Sequence, residues 1–463
     1  MKVDNTIVVK DLLKATHQVF DLAGRKAWAI ERTWDTSRGT PVFTVAGRYT
    51  TRGWTEWTQG FQYGCQVLVF DATGDRKLLA LGRKNTVERM TPHVTHTGVH
   101  DHGFNNLSSY GNLRRLMLEG RTPHNPWELE FYNMAIKASG AVQAARWAEV
   151  AGGNGFVYSF NGPQSLFVDT IRTVRILGLA HQLGHALMGE GDRKFNLLNR
   201  SVRHGLSTAK WNVWYGEGRD SYDIRGRTAH EAIFNRNDGN FRCPSTQQGY
   251  SAFTTWTRGL AWAMLGFAEE LEFLSSLDAA EFAKAELPSK AEVLKVYLKA
   301  ALATSDFYIN HATSTDGICY WDTGAPGLAR LGDWQNRPAE PYNDFEPVDS
   351  SASAIAAQGL VRLGNYLGAT KGRKYLQAGL TVAKPLFAEP YLATSGRHQG
   401  LLLHSIYHQP NGWDYVPPGS KIAAGESSMW GDYHGLELAN LLRRMATGGA
   451  KRAALYPTFF DKK

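Results

Sequence analysis

Along most of this chain the apolar residues recur every three or four positions, the spacing of one buried helix face. Residues 5 to 34 show it first, with Ile7, Val8, Leu12, Leu13 and Phe20 in register. Helical patterns follow over 54 to 75, closing at Gly74, and over 77 to 93. A long helix opens near Asp101 and runs to Gly120, and an alanine-rich one runs from Trp127 to about Ala151. Further helices are expected from Asp169 to about Gly189 and from Asp192 to Trp214. The second half carries the same spacing over 254 to 274, 290 to 311, 349 to 368, 371 to 388 and 428 to 448. Asp349-Ser350-Ser351 has the composition of a helix N-cap.

Between these segments the pattern lapses. Residues 35 to 53 read as a loop or short strand, and 215 to 253 as a polar, glycine-rich excursion outside the core. Long loops cover 312 to 348 and 389 to 429. There is no sustained strand pattern and no short repeat of the solenoid kind. About a dozen helices with long loops at alternate junctions predict an all-α fold, an (α/α)6 barrel or toroid of about six hairpins. A single catalytic domain spanning 1 to 463 is expected, with 1 to 50 as a lead-in helix and loop. Loops rich in Trp, Asp and Gly would gather at one mouth of such a toroid.

Composition sharpens this picture in three places. Aromatic residues are 12% of the chain, including 14 Trp, which suits either a packed core or a cleft that stacks on sugar rings. The net charge of +8 favours anionic ligands, but the Lys and Arg residues are scattered and form no dense run, which argues against nucleic acid. Cys65, Cys243 and Cys319 are far apart and odd in number, so neither a disulfide framework nor a zinc-thiolate site is expected. No apolar run reaches a membrane-spanning length, and no secretory leader pattern stands at the start, so a cytoplasmic protein is the expectation.

Two carboxylates draw the chemistry together. Asp101, between His100 and His102, and Asp169, in SLFVDTIRTVRILGLAHQLG, each open an apolar helical run. A helix N-terminus favours the ionised carboxylate, while apolar neighbours raise its pKa, which suits general acid and base work. Taken alone, each reads more readily as a helix cap than as a catalytic group. The histidine run His93, His96, His100 and His102 has a metal-like spacing at His96 and His100. No HExxH pattern accompanies it, and no metal or cofactor is expected.

Seven segments then carry a resemblance: WTQGF at 57 to 61, HDHGF at 100 to 104, VDTI at 168 to 171, QGYSAFTTWTRGLAWAMLGFAE at 248 to 269, DSSASAIAAQGL at 349 to 360, GLLLHSIYHQPNGWDY at 400 to 415 and SMWGDYHGLELANLL at 428 to 442. In that order the chain resembles the unsaturated glucuronyl hydrolases, which remove a 4,5-unsaturated uronic acid from the oligosaccharides left by polysaccharide lyases. The resemblance implies an (α/α)6 barrel and two catalytic aspartates, Asp101 and Asp169, with Asp169 as general acid and base. It also implies substrate contacts from Trp57, His230, Gln248, Arg258 and Trp262. Arg258 would meet an anionic group of the sugar in a fork-like pair, Trp57 and Trp262 would stack on sugar rings, and Gln248 and His230 would give neutral hydrogen bonds. Asp101, if near, would raise the pKa of Asp169 by like-charge repulsion.

The chain departs from the family in places. Phe160 stands where a tryptophan often precedes the second aspartate, His102 is unusual, and VPPGSK at 416 to 421 lacks the sulfate-reading spacing of some members. The expected partner is an unsaturated uronic acid oligosaccharide. An unsaturated rhamnogalacturonyl hydrolase, a glucuronidase for saturated uronides and a sugar epimerase on a similar toroid are the other readings. The leaving sugar and the oligomeric state are left open by the sequence.

Overall fold

The computed structural model describes residues 1–52 and 56–453. It is rich in helix, in the order the hydrophobic spacing predicts. The first half holds α1 (Leu13–Thr33), a hairpin of β1 (Phe43–Val45) and β2 (Arg48–Thr50), then α2 (Gln59–Thr73), α3 (Arg76–Arg89) and α4 (Thr91–Val94). Next come α5 (His102–Asn106), α6 (Asn112–Leu118), α7 (Pro126–Ala145), β3 (Trp147–Glu149), β4 (Gly155–Val157) and β5 (Ser165–Phe167). They lead to α8 (Thr170–Thr173), α9 (Arg175–Gln182), β6 (Ala186–Met188), β7 (Lys194–Asn196) and α10 (Leu197–Trp211). The second half holds β8 (Glu231–Phe234), β9 (Phe241–Ser245), α11 (Thr257–Ser276), α12 (Ala279–Lys284), α13 (Lys290–Phe307), α14 (Ser350–Lys371), α15 (Arg373–Leu386) and α16 (Met429–Ala453). The first residues of the expected 54–75 helix lie outside the described residues.

Packing passes from one helix pair to the next. α2 lies on α3 and α5, α7 on α9, α9 on α10, and α10 on α13. α11 lies on α13 and α14, α14 on α15 and α16, and α16 returns to α1 and α2. The start of α11, around Leu260–Ala268, and of α14, around Ser350–Leu363, is buried on every side, as a helix at the centre of a large core must be. Small residues make this possible. A Cβ on Gly359 of α14 would stand 2.9 Å from the backbone of Leu265 on α11, so the two helices touch along their main chains.

The structure corrects the sequence reading where short strands were missed. The helix begun at Trp127 stops at Ala145, and the chain turns through Gly152 and Gly153, at φ 90° and 87°, to close the β3–β4 hairpin. The expected helix from Asp101 to Gly120 is broken by a π-helical turn at Leu107–Gly111, a distortion often found at functional sites. Residues 215 to 253 are not merely an excursion. β8 and β9 from this stretch pair antiparallel with each other, and β8 pairs with β5. Strands of three to five residues carry too little alternation to show in the sequence against the helical background. No helix among the described residues is long and apolar enough to cross a membrane.

Candidate active site

Asp101 and Asp169 stand at the heads of α5 and α8, and neither side chain caps its helix. Asp349, by contrast, accepts from Ser351 and Ala352 and is a true N-cap. The two uncapped carboxylates converge because α5 and α8 cross in main-chain contact. A Cβ on Gly103 would lie 2.0 Å from the carbonyl oxygen of Thr173, so only glycine permits the approach. Thr173 Oγ1 and Gln143 Nε2 both donate to the His100 carbonyl and lock the crossing to α7. Beneath it, Arg172 bridges Glu269 of α11 and Glu437 of α16, so α8 is held by a buried ion network.

His100 lies between the two acids. Its Nε2 is 3.6 Å from Asp101 Oδ1 and 3.7 Å from Asp169 Oδ2, and neither ring nitrogen has a partner within 3.5 Å among the described residues. The three donor atoms fall within 4.8 Å of one another, a spacing that a proton or a cation can bridge. Burial works against the imidazolium, but the charges of Asp101 and Asp169 outweigh it and raise the His100 pKa. Burial pushes Asp101 up to about 6 against the pull of His100. Burial also opposes ionisation of Asp169, yet His100 and then His230 hold it below its ordinary value. This reverses the expected order. Like-charge repulsion was to raise Asp169; the histidine between the carboxylates reverses the sign for Asp169 and leaves Asp101 as the carboxyl that is raised.

The other members of the histidine run go elsewhere. His102 is paired to Ser139 Oγ at 2.7 Å and the His96 carbonyl at 2.9 Å, which makes it a buried strut between α5 and α7. Burial lowers its pKa to about 3, so it is neutral.

A cavity of about 320 Å³ opens over this cluster. Trp57, Phe104, Phe160, Phe167, Trp256 and Trp262 line it, with Gln247 and Gln248. Trp262 packs on Phe104 at 4.7 Å between ring centroids, and Trp57 on Trp430 at 5.0 Å. Phe160 stands 5.6 Å from the His100 ring. The expected pair Trp57 and Trp262 therefore belongs to a longer aromatic wall, and Trp430 is its fully buried backing.

Two expected contacts fall differently. Arg258 reaches the cavity wall, but its side chain is 2% exposed and its guanidinium is already engaged. Nη1 donates to Asp349 Oδ2 and the Ile406 carbonyl, and Nη2 to Gln248 Oε1 and the Tyr407 carbonyl. All four terminal N–H bonds are used by protein, so the fork meets a buried carboxylate rather than standing open to a sugar. His230 does not line the cavity. It lies behind Phe167 and Trp256, at 4.3 and 4.7 Å, and its Nδ1 accepts from the Gln247 and Gln248 amides. Its carbonyl accepts from Val168, which joins it to the strand leading into Asp169. Gln248 does face the cavity, its oxygen bound to Arg258 and its amide nitrogen without a protein partner among the described residues.

Sequence reasoning missed the far wall. Tyr407, His408, Asn411 and Trp413 line the cavity from one loop. Arg258 holds the Ile406 and Tyr407 carbonyls, and Asp414 accepts from the Tyr407 and His408 amides at 2.5 and 2.9 Å. The segment GLLLHSIYHQPNGWDY marked this loop, but nothing in its spacing says which side chains turn inward.

No family model matches the chain. Single relatives do. The unsaturated glucuronyl hydrolase of Bacillus sp. strain GL1 is 25% identical over 419 residues, covering 87% of this chain and 90% of that protein. The chain resembles the unsaturated glucuronyl hydrolases. Another, from Formosa agariphila, is 24% identical over 389 residues, covering 82% of this chain and 78% of the relative. The solved structure of the Bacillus sp. GL1 unsaturated glucuronyl hydrolase superposes with a TM-score of 0.67 at 23% identity, over 94% of this chain and 98% of that one. The likeness in fold therefore spans nearly the whole length of both.

Proposed function

We propose that this protein is a glycoside hydrolase that removes a 4,5-unsaturated glucuronyl residue from the non-reducing end of lyase-generated oligosaccharides. The reading rests on one observation above the rest: two uncapped, buried carboxylates meet across a histidine at the base of an aromatic-walled cavity. The curated relatives named above support the substrate class. The ring of helix pairs closed by α16 on α1 and α2 supports a six-hairpin toroid, one catalytic domain with its loops at the mouth.

The C4=C5 bond of the unsaturated sugar is a vinyl ether conjugated to a carboxylate. Asp169 gives a proton to C4, and positive charge develops at C5 and the ring oxygen. The Asp169 carboxylate then takes a proton from water as its oxygen bonds to C5. The hemiketal opens and the glycosidic bond is lost. His100 holds Asp169 below its ordinary value, while burial raises Asp101 to about 6. A uronate carboxylate entering the cavity adds negative charge beside Asp169 and raises its pKa, which draws the proton to the acid that needs it. Trp57 and Trp262 stack on sugar rings, and the free amide of Gln248 donates to a sugar oxygen. Arg258 and His230 act through what they hold: the 406–414 loop with Gln248, and the approach to Asp169.

The test is loss of ultraviolet absorbance of the C4=C5 chromophore on a panel of unsaturated disaccharides, with wild type beside Asp169→Asn. Loss with wild type and none with the variant is expected. Turnover of saturated glucuronides alone would overturn the reading.

A further inference from the structure

A second cleft, of about 520 Å³, opens between β3, the β6–β7 hairpin, the first turn of α10 and residues 284–286. None of its lining residues lines the cavity over Asp101 and Asp169. Its charge is one-sided: Arg193, Lys194, Arg200, Arg203 and Lys284 face only Glu149 and Glu286. Among the described residues none of these five cations makes an ion pair. The cleft also meets the N-terminal end of α10, whose dipole adds to the positive field.

Arg200 is the centre of the arrangement. Its guanidinium lies 4.1 Å from the ring centroid of Trp147 and 4.9 Å from that of Phe195. Arg193 stacks on the same Phe195 at 4.8 Å. Both rings pack against the Arg200 guanidinium, which leaves its N–H edge as the part that can hydrogen-bond a ligand. That edge donates no hydrogen bond to protein among the described residues. Burial lowers its pKa to about 10; Glu149 favours the cation, and Arg193 and Arg203 work against it. Arg203 is fixed too, by the carbonyls of Gly153 and Glu286. A planar, immobilised guanidinium fork without a carboxylate is built to take a bidentate oxyanion, and most of the ordering cost is met in the fold.

We propose that this cleft binds an oxyanion-bearing ligand, with its carboxylate, sulfate or phosphate group in the fork of Arg200 and with Arg193, Arg203 and Lys284 around it. The volume is larger than a lone ion requires and falls in the range of clefts that hold sugar-sized ligands, roughly 300–1,000 Å³. The oxyanion comes either from an acidic oligosaccharide or from free inorganic anion. The proposal does not depend on the catalytic reading.

The experiment is isothermal titration of wild type, Arg200→Ala and Arg200→Lys at low salt. The probes are inorganic phosphate, inorganic sulfate and a saturated hexauronate, which has no C4=C5 bond to hydrate. Wild type is expected to bind at least one probe, with affinity reduced about tenfold or more in Arg200→Ala and partly restored in Arg200→Lys, which keeps charge but loses the fork. Hexauronate bound at least about tenfold tighter than either ion assigns an oligosaccharide, and equal affinities assign the free anion. If no probe binds wild type, or if Arg200→Ala binds as wild type does, the proposal is overturned. Should Arg200→Ala fail to fold, Arg200→Lys and Lys284→Ala carry the same comparison. Turnover of an unsaturated disaccharide, measured alongside, is expected to be unchanged in the Arg200 variants. Its absence in wild type would bear on the proposed reaction and not on the cleft.

Discussion

Replacing Arg258 by methionine tests whether this residue is a clamp or a ligand contact. Methionine keeps most of the buried stem and removes the guanidinium. The loss is large on the structure's own terms. Asp349 would keep its helix-cap bonds from Ser351 and Ala352 but lose the cation 2.7 Å away. The Tyr407 and Ile406 carbonyls and the Gln248 oxygen would lose their donors in the same step. Removing one partner of a buried ion pair costs about 3–5 kcal/mol, and the orphaned carbonyls push this to the upper end of that range. Equilibrium urea unfolding of wild type and variant measures it. The double variant with Asp349→Asn should cost clearly less than the sum of the two single changes, since each removes the other's reason for burial. The 406–414 loop loses its hold on the Ile406 and Tyr407 carbonyls, so kcat and KM are both expected to worsen. A stability loss under about 1 kcal/mol with a rise in KM alone would refute the clamp and return Arg258 to the sugar.

Four further outcomes follow from the structure. Asp101, at about 6, is protonated below that pH, so kcat/KM should fall as pH rises through about 6. His100→Gln removes the charge that lowers both carboxyls, and the falling limb should move to higher pH; an unmoved limb in the pH–rate profile would exclude His100 as their counter-charge. Gly103→Ala drives a methyl group into the Thr173 carbonyl, and overpacking of this kind costs about 1–3 kcal/mol or more. Because the displaced helices carry Asp101 and Asp169, turnover should fall further than urea stability does, and a fully active variant would show that the crossing does not set the site. Glu270 is buried with both oxygens unpartnered, and burial, then Glu269, raises its pKa from the ordinary glutamate value to about 8. The folded state therefore holds a proton that the unfolded chain has lost, so this group's contribution to stability declines as pH rises from the ordinary value to about 8. Glu270→Gln should be more stable than wild type at pH 8 and flatten that slope, as read by urea midpoints across pH.

The two aspartates were legible as acids that open apolar helical runs, and their choice as a catalytic pair came from the resemblance. Asp349 was legible as a cap because it too opens a helical run. The roles of Arg258 and His230 were not. Both depend on partners far along the chain, Asp349 and Tyr407 for the arginine and the Gln247 and Gln248 amides for the histidine. The short strands β5, β8 and β9 were missed because their order in space is carried by pairing between distant segments and not by local alternation.

The sequence by itself determined a helical protein, the order of its helices, the two acidic residues that open α5 and α8, and an aromatic supply large enough for a cleft. These follow from periodicity and residue chemistry within a few turns of chain. The tertiary structure decided that Gly103 and Thr173 touch, that His100 therefore stands between the acids, and which acid has its pKa raised. It also decided that the Arg258 fork is closed by protein while the Arg200 fork is left open between two rings. The physical reason is common to all of these. Charge, desolvation and hydrogen bonding act over a few ångströms of space, and the residues that meet there are set by packing across the whole chain.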